Sequence, residues 1–449
     1  MEKMKENCGG RFGTGMCDGW KNVAKTSIVG SMVNVEYEPH ILNIYEVKSE
    51  RKSAINLLAM VEQEIDFCLM ELAIFLVAYC SDNGGESRGM CSLLAKKWPW
   101  IVIVACWAHQ VNLILGDYFK GNPALKATVS EALEVVKWFN NHGRALGILQ
   151  EYEVTYIGKA LCLILPVITR WTSYYLSVRR LLELENMIIC AVCDREAELV
   201  ASVGSKKALQ DKAKKIMATL CFLSSVLSFL THRMHTRIRQ HLEPLAVAAN
   251  IIQGDNARLD VVLVAILSLY SEFSQAGDRG APILKSISKR WSDTDQEVFL
   301  LALILNPYIR QTAFKAGSTF ASNSTCWMLF RRVYKRMLQR DPPKGTRKVF
   351  IDYLCQAGWF SDTAMDLSGW EEEAETAPIN LLSIWHDLDN KTDPFVDPVN
   401  AVVTIALRTL SIVPNSAAIE RLFSGIGSIH SKLRNRLDAE RVRKIVLVK

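Results

Sequence analysis

Several things are missing from this 449-residue chain, and each absence narrows the field. Its longest apolar run, residues 67–80, contains Glu71 and falls short of the roughly 20 residues a bilayer-spanning helix needs. The opening residues, Met-Glu-Lys-Met-Lys-Glu-Asn, lack the apolar stretch of a secretory leader. No internal repeat and no long low-complexity tract is present, which argues against solenoids and disordered linkers. No charge sign dominates: 53 Lys and Arg face 47 Asp and Glu, leaving a net charge of +6. That mild excess is compatible with a nucleic-acid partner but does not demand one. The twelve cysteines are scattered, without the dense regular spacing of a small disulfide scaffold. They are expected to be reduced thiols in a soluble protein of the nucleus or cytosol.

What is present is ordinary globular material. Hydrophobic residues make up 49% and charged residues 22%, which excludes a disordered chain, and the length suggests two or three domains. Residues 11–47 read as strands, including 27–35 and 41–47, with Glu38-Pro39-His40 as the turn between those two. Helical periodicity over 52–66 precedes a buried strand at 73–80. A helix at 86–97 is stopped by Pro99, a continuous apolar strand occupies 101–105, and a helix begins near Trp107. This order predicts an α/β sheet whose first three strands are antiparallel. From about residue 124 to 370 helical patterns dominate, broken at Gly143, Pro166, Gly204, Gly254, Pro307 and Pro342-Pro343. The acidic stretch Glu371-Glu372-Glu373 marks a linker. A helix around Ala401 to Leu410 follows, then Pro414, then a helix from Ala417 to about Gly425 capped by Asn415 or Ser416, with Glu420 near its middle. Residues 441–447 read as a final helix.

Three acids stand in settings that suit metal-dependent chemistry. Asp18 lies in Met-Cys-Asp-Gly-Trp, Asp82 in Cys-Ser-Asp-Asn-Gly directly after the apolar run 73–79, and Glu420 in Ala-Ile-Glu-Arg-Leu-Phe. Two carboxylates at strand ends and one on a helix can converge on a pair of Mg²⁺ ions that clamp the attacking and leaving oxygens of a phosphodiester. Each also has a plain reading. Asp before Gly or Asn-Gly is commonly a turn residue, and a helical Glu beside Arg421 is commonly a solvated ion pair. Glu86 is a competing acid. Cys106 and His109 form a Cys-x-x-His pair without two further ligands nearby, so a structural role at the strand-to-helix junction is favoured over zinc. Cys190 and Cys193 read as buried thiols in a helix. His232, His235 and His241, interleaved with Arg233, Arg237 and Arg239, read as a solvated basic face. The densest basic run, residues 331–348, holds eight Lys and Arg, among them Arg331, Arg332, Lys335 and Arg336, opposed along the run by Asp341. It is either a solvated helix face or a surface that neutralises phosphates without reading bases.

The Asp-Gly-Trp and Ser-Asp-Asn segments, Cys106-Trp107-Ala108-His109, Thr169-Arg170-Trp171 and the tract 416–437 together resemble the hAT superfamily of DNA transposases. The most specific part is Ser-Ala-Ala-Ile-Glu-Arg-Leu-Phe-Ser followed by Lys432-Leu433-Arg434-Asn435-Arg436-Leu437. The resemblance implies an α/β, ribonuclease-H-like core split by a large all-helical insertion, with C-terminal helices completing the core. The corresponding spans are 1–124, 125–375 and 376–449. It further implies that Asp18, Asp82 and Glu420 are catalytic and hold Mg²⁺ or Mn²⁺. Arg170 and Trp171 would then grip distorted DNA ends, with Trp171 alternatively a core residue, and Cys106 and His109 would support the core. DNA, by ancestry transposon ends, is the implied partner, the nucleus the implied location, and no membrane is involved. The C-terminal region would make a homo-oligomer, with Ile405, Leu407, Leu410, Ile412, Leu422 and Phe423 as either its surface or intrachain core. Seventeen residues precede Asp18, and the resemblance therefore leads one to expect a chain lacking the family's N-terminal zinc-binding module. Metal-dependent cleavage and strand transfer is one expected function. A non-catalytic, transposon-derived DNA-binding or dimerisation protein is the other.

Overall fold

The computed structural model describes residues 2–21, 27–47, 53–82, 84–166, 171–218, 240–374 and 379–429. The C-terminal motif residues 432–437 and the helix expected at 441–447 lie outside them. Five strands form one mixed sheet: β1 (Phe12–Lys21), β2 (Ser27–Val35), β3 (Glu38–Val47), β4 (Phe75–Ser81) and β5 (Val102–Ala105). Their order is β3-β2-β1-β4-β5. β1, β2 and β3 are mutually antiparallel, whereas β4 runs parallel to β1 and β5 parallel to β4. Past residue 105 the described residues form helices, short 3₁₀ turns and loops, and no strand.

The β2–β3 hairpin turns two residues earlier than Glu38-Pro39-His40. Those three residues are already in β3, and the turn is Glu36-Tyr37, both in the left-handed region at φ 50° and 77°. A two-residue turn of that kind matches the twist of its flanking strands. Asn34 Oδ1 accepts the Tyr37 N–H at 2.9 Å and helps hold it. Pro39 fits inside β3 because β3 is the sheet edge, where a missing N–H leaves no ladder bond broken.

Side chains alternate across the sheet. Cys17, Val29, Val33, Val35 and Tyr79 face one way. There they join Leu57, Val61 and Ile65 of the helix Ala54–Met70 and Met90, Cys91 and Leu94 of the helix Gly85–Lys97 in one apolar cluster. Ser53 caps the first of these helices by accepting Asn56 N–H. The opposite face receives the C-terminal segment. Thr14 Oγ1 donates to Ser411 O at 3.4 Å and accepts Val413 N–H at 3.1 Å, and Tyr37 Oη donates to Leu410 O at 2.8 Å.

Two compact units divide the chain. One comprises Met1–Gln110, Ile251–Ser268 and Ser288–Lys449; the other Val111–Asn250 and Leu269–Ile287. The boundaries at 124/125 and 375/376 drawn from the sequence group residues differently: residues 251–268 and those from 288 onward fall in the unit of the sheet. In that unit the helices Gln296–Leu305, Asn323–Leu338, Thr346–Leu354 and Leu381–Asp387 surround Pro398–Leu410, whose Ala401, Val402, Ile405, Ala406 and Leu410 are fully enclosed. The second unit is helical: Gly143–Ile157 packs on Glu185–Ala201 and Pro123–Asn141 on Trp171–Glu183. Among the described residues no helix is long and apolar enough to cross a membrane.

Candidate active site

Asp18 is two residues beyond Met16 on β1, and Met16 pairs with Cys80 of the parallel strand β4. Carrying that register two residues on brings Asp18 level with Asp82. Ser81 turns toward the apolar cluster, its Oγ 3.3 Å from Cys91 Sγ, so alternation sends Cys80 and Asp82 to the other face. Thr14 points to that face, and Asp18, four residues on, does too. Both sequence-predicted aspartates therefore sit at the same end and on the same side of adjacent strands, each only partly exposed.

The helix Ala417–Ile429 lies over this face and packs on β1 and β2. Gly30, the register partner of Asp18, makes room for it: a Cβ at Gly30 would stand 3.1 Å from the Phe423 ring. Glu420 is three residues before Phe423. It occupies the first turn of the helix rather than its middle, because the helix continues to Ile429. A first-turn carboxylate is favoured by the unpaired N–H groups at a helix N-terminus. Arg421 turns away to Asp255 and to Gln253 O at 3.4 Å, so the neighbouring arginine is engaged elsewhere.

The N-terminus of this helix is fastened to the end of β5. Trp107 N–H donates to Pro414 O at 2.8 Å and Ser416 N–H to Cys106 Sγ at 3.3 Å. Asn415 Oδ1 accepts Ala417 N–H, and its amide donates to Gly254 O, each at 3.0 Å. Cys106 is fully buried, and hydrogen bonding from Cys80 holds its thiol below the usual range; burial pushes the Cys80 thiol well above it. Cys106 and Trp107 thus join strand, helix and C-terminal segment at one junction.

Each aspartate also accepts a nearby backbone N–H, Asp82 doing so as a turn residue would. Asp18 Oδ1 accepts Gly19 N–H at 2.6 Å, and Asp82 Oδ1 accepts Gly84 N–H at 3.0 Å. Glu86 is exposed in the first turn of Gly85–Lys97. Among the described residues no group of three or more His, Cys, Asp and Glu side chains is placed to hold a metal ion. Asp18 and Asp82 match Mg²⁺ or Mn²⁺ in donor type and access, while Glu420 is not gathered with them into such a group.

On the far side of the sheet lies a carboxyl that the sequence did not single out. Glu64, on Ala54–Met70, is buried and pushed up to about 7 by that burial, against hydrogen bonds from Ser31 and Tyr45 that act the other way.

The predicted DNA contacts fare unevenly. Arg170 lies outside the described residues, and Trp171 opens the helix Trp171–Glu183. The basic run is more opposed than its own sequence suggests. Arg331 and Lys335 both pair with Asp341, Arg332 pairs with Glu297 at 2.7 Å, and Arg336 with Asp295 at 2.6 Å. Glu297 and Asp295 come from the preceding helix and its N-cap, 35 and 41 positions away.

Three other expectations need correction or completion. Cys193 is exposed and Cys190 partly so, because they lie toward the outer side of their helix. His241 is buried against the Tyr118 ring at 5.7 Å rather than solvated, while His232 and His235 lie outside the described residues. Ile405, Leu407, Leu410, Ile412 and Phe423 are buried within the chain, and Leu422 is partly covered. A second basic tract, residues 206–215, escapes a search for the densest run, although five lysines in ten residues are visible there.

No protein-family model matches the chain, and no curated protein matches it.

Proposed function

We propose that the chain is a transposase-like protein of the hAT type, whose ancestral chemistry is metal-dependent cleavage and strand transfer of DNA in the nucleus. The observation that carries this reading is that β1, which holds Asp18, runs parallel to β4, which ends one residue before Asp82, in a register pairing Met16 with Cys80, while the helix of Glu420 docks on β1 and β2 over Gly30. A sheet of three antiparallel strands followed by two parallel ones is what a ribonuclease-H-like core would supply, and residues 398–429 return to it as the C-terminal part of a split core would.

In this reading Asp18, Asp82 and Glu420 are the oxygen donors for Mg²⁺ or Mn²⁺. The bound ion would lower the pKa of an attacking hydroxyl and stabilise the leaving oxygen. Asp18, within β1, and Asp82, one residue past the end of β4, supply hard, partly exposed carboxylates. The fastening of Pro414 and Ser416 to the end of β5 orients the first turn that carries Glu420. Any self-association would have to use residues other than the buried apolar set of the C-terminal segment.

A second reading is a non-catalytic DNA-binding protein of the same ancestry. It is favoured by the lack, among the described residues, of a three-membered metal group. One experiment separates the two. Wild type and Asp82→Asn are compared on labelled duplex DNA with Mg²⁺ or Mn²⁺. The asparagine keeps an Oδ1 acceptor for Gly84 N–H and removes the charge, so the fold and DNA binding should persist while nicking is lost. Duplex binding by folded wild type with no metal-dependent nicking would reject the enzyme and leave the second reading.

A further inference from the structure

The ion pairs of residues 331–340 raise the question of where on this chain a polyanion would find uncommitted charge. Residues 206–215 carry Lys206, Lys207, Lys212, Lys214 and Lys215 against the single acid Asp211. All six side chains are exposed. Lys212 lies 3.8 Å from Glu134, whereas Lys206, Lys207 and Lys214 have no carboxylate partner among the described residues. Residues 207–218 are helical, and Ala213, Ile216 and Met217 are buried in the helical unit, which fixes the lysines on the outward arc.

Lys207 and Lys214 are seven residues apart, two turns along one line of the helix, or about 10 Å at ~1.5 Å per residue, so both present their charge on the same side. Lysine acts on phosphate as a point charge and reads no base edge, so the contact would be independent of sequence. A membrane-surface helix would present apolar residues beside its lysines. Here the helix turns Ala213, Ile216 and Met217 inward and exposes only Leu209 among its large apolar side chains.

We infer that the lysine face of residues 206–215 is a contact surface for the phosphate backbone of duplex DNA, which rests on the reading that DNA is this chain's partner. Within the basic run 331–348, Arg331, Arg332, Lys335 and Arg336 form the secondary surface, because each must first leave a carboxylate; the exposed Arg340, Lys344, Arg347 and Lys348 have no carboxylate partner among the described residues.

The test measures duplex affinity across a salt series for three proteins: wild type, the triple variant Lys206→Gln, Lys207→Gln, Lys214→Gln, and the control Arg331→Gln, Lys335→Gln. Each phosphate contact adds about 0.9 to the slope of log affinity against log salt. The triple variant should lose two to three units of slope and roughly tenfold or more in affinity, and the control under one unit. All three should melt alike, since exposed substitutions rarely move stability by more than about 0.5 kcal/mol. An unchanged slope in the triple variant overturns the inference and leaves the proposed function standing. Equal losses in both variants also overturn it, since the ranking would be gone. If wild type binds anionic vesicles or RNA but not duplex DNA, the partner class is wrong and the proposed function falls with the inference. Absence of nicking bears on the enzyme alone and leaves this surface untouched.

Discussion

One face of the sheet is covered by Ala54–Met70 and Gly85–Lys97, helices that adjoin their strands in sequence. The other is covered by residues 398–429, and 397 positions separate Thr14 from its partner Ser411. The first face is held by an apolar cluster. The second also buries apolar residues, among them Met16, Ile28, Met32 and Phe423, and adds hydrogen bonds that join Thr14, Tyr37, Trp107 and Cys106 to backbone groups of the incoming segment. Apolar contact is non-directional and tolerates small shifts, whereas a hydrogen bond fixes position to a fraction of an ångström. The proposed catalytic face is the one that adds directional bonds to its apolar packing, as expected where carboxylates must keep a set spacing.

The contrast can be broken at three points. The largest effect is expected on the apolar face. Leu94→Ala empties a fully buried position in the cluster and should lower unfolding free energy by about 2–5 kcal/mol in urea titration. A loss under 1 kcal/mol would mean this face is loosely packed.

Glu64 comes next. Its folded pKa of about 7 lies above the ordinary carboxylate value of 4.5, so the folded state holds the proton more tightly than the unfolded chain. Stability is therefore greatest below pH ~4.5 and is lost as pH rises through 7, by about 3 kcal/mol at 1.36 kcal/mol per pKa unit. Glu64→Gln should remove this term: variant and wild type would diverge between pH 4.5 and 7, with the variant the more stable at pH 8. Parallel stability–pH curves would show that water reaches the carboxyl.

The smallest effect probes the polar face. Thr14→Val keeps the shape but leaves Val413 N–H without its acceptor, which should cost about 1–3 kcal/mol. Because the side chain is isosteric, a neutral result would mean that burial alone seats the C-terminal segment.

The strands were legible where β-branched residues run together, as in Ser27–Val35 and Val102–Ala105, and helix ends where Gly or Pro interrupts the period, as at Gly143, Gly204 and Pro307. Asn415 and Ser416 both announced a cap for the helix after Pro414, and it is Asn415 whose Oδ1 accepts the Ala417 N–H. The β2–β3 turn was misread because Pro39 is a turn signal only when its position at a sheet edge is unknown. Asp18 and Asp82 could be chosen from local pattern, yet their common face follows from register, which a single strand does not encode. The partners of Arg332 and Arg336 were hidden for the same reason: Glu297 and Asp295 come from another helix, and nothing near residue 332 advertises them.

The long return of the chain to Thr14 has a consequence for synthesis. At about 5–20 residues per second on the ribosome, roughly 20–80 seconds separate the emergence of β1 from that of the segment that covers it. Through that interval Thr14 and Tyr37, and Cys106 once made, await partners not yet synthesised, and one side of the sheet is open to solvent or to a chaperone. The earlier helices can seal their own face meanwhile. Stalling the nascent chain before residue 398 should therefore leave a half-clad sheet, and release past Phe423 should close it.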